Sequence, residues 1–204
     1  MDILDTMIVG AGVAGLTAYF YACLYKLSAT CIGDVIGGKT LFAPHIIDFP
    51  GIESITGKEY INHLLNQLIT LKAQPVIGEI TEIVNEDSPS GLRFSTKTNQ
   101  GQMYTSKTIV LATGNGNKQR DNRGLKLANQ LGISTLQGLI KPVHHTVTNL
   151  KGVFACGDSI SYPSSLEQLT TAVSTGVSAA ANVYEYLNHT KPPIIWGNVN
   201  IKRM

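Results

Sequence analysis

The feature that most constrains this chain is a glycine-rich turn close to its first residue. An apolar segment, residues 7–9, ends at Gly10, and two further glycines follow at Gly12 and Gly15. Residues 16–24 are rich in side chains that can pack one side of a helix. Between a strand and a helix, such glycines allow a tight turn, close approach of a pyrophosphate and close helix packing. The pattern therefore favours nucleotide binding, whereas the same glycines without this context indicate only a glycine-rich turn.

A second strand is predicted after the helix and completes a βαβ unit. Residues 28–32 are expected to form it, and Asp34 lies just beyond its end, 19 positions after Gly15. An acidic residue about 20 positions past the glycines can accept hydrogen bonds from a ribose. Asp34 is therefore a candidate ribose ligand, and the alternative is an aspartate that stabilises a turn.

The composition is typical of a packed globular protein. Of the 204 residues, 43% are hydrophobic and 15% are charged, and the net charge of +2 predicts neither a nucleic-acid nor a membrane partner. No run of 18 apolar residues predicts a membrane helix, and the acidic start of the chain is unlike a signal peptide. Cys23, Cys31 and Cys156 lie in apolar segments without a CxxC pair, which predicts buried free thiols, a cytoplasmic protein and no metal site.

The rest of the pattern predicts an α/β domain in which a parallel sheet carries an antiparallel β-meander. Helices are predicted where apolar residues recur at helical spacing, at residues 57–72, 125–131 and 166–187. Strands are predicted at residues 75–84, 92–96, 103–106, 108–112 and 152–158, with a turn over 85–91 and a hairpin over 140–148. Residues 189–204 are expected to form a tail.

Five motifs stand in an order that is typical of one family. They are residues 10–15, 37–38, 48–51, 112–114 and 152–158. With these motifs the sequence resembles the FAD domain of thioredoxin-reductase-like flavoproteins, a group that includes thioredoxin reductases and ferredoxin–NADP reductases. The stretch 157–163 and the helix after it look most similar to the ferredoxin–NADP reductase branch. The resemblance implies a single Rossmann-like FAD-binding domain over residues 1–188, FAD as cofactor, and a homodimer.

The resemblance also implies which residues contact FAD. The pyrophosphate would be held by Gly10, Gly12, Ala14 and Gly15, and the adenosine ribose would lie near Asp34. The cofactor path would be lined by Gly37, Gly38 and Lys39, where relatives often have glutamine in place of the lysine. The adenine would contact the backbone of Val76 or Ile77, and the chain would turn beside the cofactor at Ala112, Thr113 and Gly114. The isoalloxazine would be bordered by Asp48, Phe49 and Pro50. The ribityl chain would contact Gly157 and Asp158. The flavin pyrimidine would face Gln168, Leu169 and Thr171.

One part of the family pattern is missing. In the family, an NADPH-binding domain is inserted between the segments that correspond to Gly114 and Gly157, and here only 43 positions separate these two residues. A nucleotide-binding domain needs several βαβ units of about 30 residues each. No second GxGxxG is present, so the NADPH domain is expected to be absent, with the cut near residues 120–127. The CxxC of thioredoxin reductases is absent too, which excludes disulfide reduction by that dithiol relay.

Three functions are compatible with these observations. The first is an FAD-dependent oxidoreductase that receives electrons from ferredoxin, flavodoxin, a separate reductase or a diffusing reductant. The second is a non-catalytic FAD-binding scaffold or redox sensor, since a cofactor can be kept for stability alone. The third is an NAD-binding Rossmann protein, which the Gly-Asp motif near the C-terminus argues against.

No catalytic acid, base or nucleophile can be named from the sequence. His45, His144 and His145 are interpreted as loop or surface residues rather than redox groups. The tail carries Pro192, Pro193 and Trp196, an apolar cluster that is unusual for a disordered segment. One hypothesis is that Trp196, or Ile195 beside it, packs over or near the exposed isoalloxazine, from its own chain or from a dimer mate. The alternative is that Trp196 fills a surface groove or a dimer seam.

Overall fold

A mixed β-sheet forms the centre of the protein in the computed structural model, which describes residues 3–88, 91–116, 122–161 and 167–195. The strands are β1 (Leu4–Val9), β2 (Ala29–Gly33), β3 (Val76–Ile77), β4 (Ile80–Ser88), β5 (Gly91–Thr98), β6 (Met103–Leu111), β7 (Thr135–Leu136), β8 (Leu139–Ile140) and β9 (Val153–Ala155). The helices are α1 (Val13–Leu24), α2 (Gly57–Thr70), α3 (Arg123–Gln130) and α4 (Leu169–Asn188), with short 3-10 turns at Gly38–Phe42 and Gly157–Ser159. Within the described ranges, β7 and β8 form a separate hairpin and the other strands form one sheet.

Strand β6 joins the parallel and antiparallel parts of the sheet, whose order is β3-β2-β1-β6-β5-β4. Its first half pairs antiparallel with β5, where Phe94 lies opposite Ser106. Its last residues pair parallel with β9, where Ile109 lies opposite Val153. Along its other edge β6 runs parallel to β1. Strands β1, β2, β6 and β9 therefore end at the same edge of the sheet, where ligands bind in open α/β folds.

Both faces of the central strands are buried. Ile8 and Val110 face the layer of α1, α2 and α4, whereas Met7 and Ile109 face the layer that contains α3. Successive side chains on a strand point to opposite faces, so a strand covered on both sides needs a continuous apolar run. This requirement explains why residues 7–9 and 109–111 read as unbroken hydrophobic segments.

Helix α1 is held against both the sheet and α4. Its contact with α4 depends on Gly176, where an added Cβ would lie 2.5 Å from the carbonyl oxygen of Ala14 and 2.9 Å from Cβ of Thr17. The apolar side of α4 is buried inside its own chain through Ala179, Ala180 and Val183.

The structure confirms the α/β class, the parallel βαβ unit and the antiparallel β4-β5-β6 meander, and it corrects several boundaries. Residues 75–84 were predicted as one strand but form two, because the chain leaves β2 at Gly78 and begins a new antiparallel pairing in β4. Strand β4 continues to Ser88 and β5 begins at Gly91, so the described residues of the predicted turn over 85–91 belong to strands. Conversely, residues 103–106 and 108–112 were predicted as two strands and form the single strand β6.

The predicted hairpin over residues 140–148 was also misplaced. The hairpin is formed earlier, by β7 and β8, and residues 144–147 make only a tight turn with a bridge between His144 and Val147. Helix α4 begins at Leu169 rather than at residue 166, which lies outside the described residues. The predictions about Trp196 and about the first residues of the 120–127 cut also fall outside them. In the described part of the chain, no helix has the length and apolar character needed to cross a membrane.

Candidate functional site

A cleft of about 690 Å³ opens at the carboxyl-terminal edge of the parallel strands. Its floor is formed by the turns that follow β1, β2 and β6, at Gly10, Asp34 and Thr113. The 3-10 turns at Gly38–Phe42 and Gly157–Ser159 contribute to its walls. The volume is within the range of small-molecule sites, and the position is the one at which nucleotides bind in doubly wound folds.

The glycine turn after β1 is built around two close backbone contacts. Gly10 has φ 106°, and an added Cβ would lie 2.3 Å from the carbonyl oxygen of Ala112. At Gly15 an added Cβ would lie 1.9 Å from the carbonyl oxygen of Gly10. These contacts press the start of α1 onto the ends of β1 and β6, as the third glycine of the motif requires.

The start of α1 offers backbone amides to the cleft. Gly12 is the N-cap, makes no side-chain capping bond, and has no acidic residue after it in the first turn. The first amides of a helix have no acceptor within the helix and carry its positive end, so they favour a bound anion. An added Cβ at Gly12 would meet no atom within 4 Å, so the space beside this turn belongs to the cleft.

Three charged side chains meet at the end of the cleft beside β2. The Nη1 atom of Arg123 lies 2.7 Å from Oδ2 of Asp34, and its Nε atom lies 2.9 Å from Oε1 of Glu79. Asp34 follows β2, Glu79 precedes β4, and Arg123 is the first residue of α3. Because Arg123 lies 89 residues beyond Asp34, no local pattern could have linked these side chains.

A second polar cluster surrounds Lys39. Its ammonium group donates a hydrogen bond to Asn115 and lies 3.6 Å from Oε2 of Glu167, while Nδ2 of Asn115 donates to Oε1 of Glu167 at 2.5 Å. Asp158 lines the same cleft. Burial, and next the negative charge of Glu167, raise the pKa of the Asp158 carboxyl, while Lys39 acts in the opposite direction.

One feature of the cleft walls suits a polar ligand, and another holds part of the wall in place. The hydroxyl of Thr113 is buried at the cleft and has no hydrogen-bond partner among the described residues, and such a group is expected to find one in a bound molecule. The 3-10 turn at Gly157 is tied to α4, since its amide donates to Oγ1 of Thr175 at 2.9 Å. That hydroxyl donates in turn to the carbonyl of Thr171 at 2.8 Å. The residues present therefore fit a group with several polar atoms.

Most of the predicted FAD contacts line the cleft, and the others lie behind it, beside it or in a separate depression. Those that line the cleft are Gly10, Gly12, Ala14, Asp34, Gly37, Gly38, Lys39, Ala112, Thr113, Gly114, Gly157 and Asp158. Gly15 lies behind the turn and acts through packing. Asp48, Phe49 and Pro50 line a separate depression of about 440 Å³ formed by residues 47–53.

The remaining predicted contacts lie beside the cleft. Val76 and Ile77 extend the sheet next to β2, and the residues that reach the cleft are the next ones, Gly78–Ile80. Gln168 is the exposed N-cap of α4, with Leu169 and Thr171 half-buried in the first turn, where Ala172 is the residue that lines the cleft. Sequence reasoning missed Glu79, Asn115 and Arg123.

The cysteines and the histidine pair at 144–145 are not among the residues that line this cleft. The cysteines are free, with Cys31 and Cys156 buried and Cys23 half-buried, which confirms the prediction of buried thiols for two of them. Burial raises the pKa of Cys156 to about 12 and that of Cys23 to about 11, so neither thiol is activated as a nucleophile. The rings of His144 and His145 contact each other with centroids 4.2 Å apart and planes tilted by 48°. Among the described residues, no three His, Cys, Asp or Glu side chains are grouped to hold a metal ion.

Comparison with known proteins identifies relatives of this chain. It is 29% identical over 177 residues to ferredoxin–NADP reductase 1 of Bacillus cytotoxicus, covering 84% of this chain and 50% of that protein. It is 32% identical over 161 residues to thioredoxin reductase of Treponema pallidum, covering 76% of this chain and 51% of that protein. The chain thus spans about half the length of the curated relatives that it matches. No family model matches it.

A solved structure supports the same relationship at the level of the fold. The thioredoxin reductase of Streptococcus pyogenes superposes with a TM-score of 0.79 and 20% identity, covering 92% of this chain and 99% of that chain. Its sheet of parallel strands with added antiparallel strands is the architecture described above. The chain is therefore a homologue of the ferredoxin–NADP reductases and thioredoxin reductases, aligned with these relatives over about half their length, and it has the fold of the thioredoxin reductases.

Proposed function

We propose that the chain binds FAD in the cleft at the ends of β1, β2 and β6. The observation that carries this proposal is the start of α1, where Gly12 leaves room for a pyrophosphate beside the first amides of the helix, which have no acceptor within it. Asp34 would accept hydrogen bonds from the adenosine ribose, and Asp158 would accept one from the ribityl chain. The Thr113 hydroxyl is a further group available to the cofactor. The other contacts named from the resemblance are part of the same proposal.

The reaction that we propose is electron transfer by an FAD-dependent oxidoreductase. Bound flavin supplies the redox chemistry, and the protein supplies position, polarity and access. The described cysteines lie outside the cleft lining, so a thiol relay plays no part in this proposal. The name of a relative, ferredoxin–NADP reductase, supports a redox protein as electron donor or acceptor. Ferredoxin, flavodoxin, a separate reductase and a diffusing reductant are the candidates, and we place the activity in the cytoplasm.

We further propose that residues 1–188 are the FAD-binding domain, that residues 189–204 are a tail, and that the NADPH domain is absent. Support comes from the short path between β6 and β9, which are neighbouring strands of the sheet. The described part of this connection holds α3 and the small β7-β8 hairpin, neither of which forms a parallel βαβ unit. Without a second nucleotide site, a nicotinamide would meet the flavin only by collision and would lose the advantage of proximity.

The test is an absorption spectrum of the purified protein, followed by anaerobic reduction. We expect a yellow protein with bound FAD that is photoreduced fully but reduced only slowly, without saturation, by NADH or NADPH. Reduced ferredoxin or flavodoxin should reduce it faster. A colourless protein that FAD cannot reconstitute would contradict the cofactor, and rapid saturable reduction by NADPH would contradict the missing domain. Bound FAD that none of these donors reduces would favour the scaffold or sensor instead.

We also expect the FAD-binding domain to form a homodimer, as the family resemblance implies. Light scattering at micromolar concentration should then give twice the chain mass of 21.9 kDa. A mass of one chain would contradict the dimer and leave the FAD proposal intact, because the cleft is lined by residues of a single chain.

A further inference from the structure

Arg123 holds two carboxylates together at the end of the cleft beside β2. It does so through different nitrogens, Nη1 to Asp34 at 2.7 Å and Nε to Glu79 at 2.9 Å. The three residues come from different segments and all line the cleft. The contact also fastens the first residue of α3 to the tip of β2.

We infer that Arg123 is a positioning and specificity-determining residue for the adenosine half of the bound cofactor. This inference rests on the proposed function, because it assumes that FAD places its adenosine at this end. Arg123 binds Oδ2 of Asp34, and the amide of Val35 donates to Oδ1 at 3.0 Å, so the carboxylate is held from both sides. A carboxylate has about four acceptor sites, which leaves capacity for ribose hydroxyls.

The charge of this cluster determines which ribose it accepts. Two carboxylates and one guanidinium give a formal charge of −1, and both carboxylates already engage the guanidinium. An unpaired arginine at this position in the fold could bind a 2′-phosphate, but Arg123 already forms ion pairs with Asp34 and Glu79. A dianionic 2′-phosphate would therefore meet net negative charge, whereas a free ribose diol would find acceptors.

The test measures selectivity rather than affinity alone. ADP-ribose and 2′-phospho-ADP-ribose, which differ only in the 2′-phosphate, compete with FAD on the full chain. For the unmodified protein we expect ADP-ribose to compete about tenfold better, a modest ratio because the side chains of Asp34 and Arg123 are 60% and 46% exposed. The variants are Arg123→Gln and Glu79→Gln, which both break the ion pair between these two residues.

The two variants should change the ratio in opposite directions. Arg123→Gln makes the cluster more negative, so the preference for ADP-ribose should rise by about threefold. Glu79→Gln removes a negative charge and releases part of the guanidinium, so the preference should fall toward one. Arg123→Lys keeps the positive charge but loses the planar guanidinium that binds two carboxylates. It should therefore keep the preference for ADP-ribose unchanged and weaken FAD binding by about threefold.

A merely structural role for Arg123 cannot produce opposite shifts from two variants that break the same ion pair. Lys107→Gln is the matched control, because it breaks the ion pair of Lys107 and Asp5 at 2.7 Å, which lies at the other end of β1. It should leave the ratio unchanged. Ratios that stay constant, or that move in the same direction in both variants, would overturn the inference while FAD binding stands. Failure of the unmodified protein to bind FAD would overturn the proposed function, and the inference with it.

Discussion

Replacing Gly12 with alanine is expected to abolish FAD retention while the chain still folds. Gly12 has φ −72° and ψ −178°, a conformation that alanine adopts without strain. An added Cβ would meet no protein atom within 4 Å, so the methyl group would project into the cleft. There it would occupy the space that the pyrophosphate needs next to the amides of α1. We expect affinity for FAD to fall by about a hundredfold or more, which corresponds to about 2.7 kcal/mol.

The measurement separates the ligand effect from the folding effect. FAD content after purification and a titration with added FAD report binding, and urea denaturation of the FAD-depleted protein reports stability. The free energy of unfolding should fall by only about 1 kcal/mol, because alanine is a poorer N-cap than glycine. Normal FAD content in the Gly12→Ala protein would show that the cofactor lies elsewhere.

Replacing Gly15 with alanine is expected to reduce mainly the stability of the fold, whereas Gly12→Ala reduces mainly the affinity for FAD. The added Cβ would lie 1.9 Å from the carbonyl oxygen of Gly10 and 3.2 Å from Cβ of Ala112. Backbone atoms cannot yield here as the end of a flexible side chain could, so α1 must move away from the ends of β1 and β6. We expect a loss of about 3 kcal/mol or more, a large part of the 5–15 kcal/mol typical of a domain.

Denaturation of the FAD-depleted proteins compares the two glycines directly. Gly15→Ala should lower the urea midpoint strongly or prevent expression of folded protein, and Gly12→Ala is its control in the same turn. Saturating FAD should recover little of the loss, because the displaced helix no longer presents its amides to the cleft. Equal stability of the two variants would mean that the close contact at Gly15 does not exist in solution.

The glycine turn could be predicted because every requirement for it is local. An apolar strand, three glycines at fixed spacing and an apolar helix follow one another within residues 7–24, and each acts on its near neighbours. The structure brings them together as β1, the turn and α1. The amphipathic helix α2 was predicted for the same reason, since its pattern repeats over many turns.

The predicted strand boundaries were wrong where strand pairing, and not the local pattern of residues, decides where a strand begins or ends. Residues 75–84 have one continuous strand-like composition, but their partners change from β2 to β5 at Gly78, so two strands result. Residues 103–111 were predicted to lie in two strands because their composition changes from polar to apolar. They form one strand because the first half lies at the meander and the second half lies in the buried parallel sheet.

The sequence alone determined the glycine turn between a strand and a helix, the apolar runs of β1 and β6, and the position of Asp34 at the end of a strand. Each depends on residues close together in the chain, where spacing and hydrophobicity are sufficient. Only the tertiary structure decided that Arg123 joins Asp34 and Glu79, and that Lys39 meets Asn115 and Glu167. The physical reason is that these side chains become neighbours only when the sheet aligns the ends of its strands.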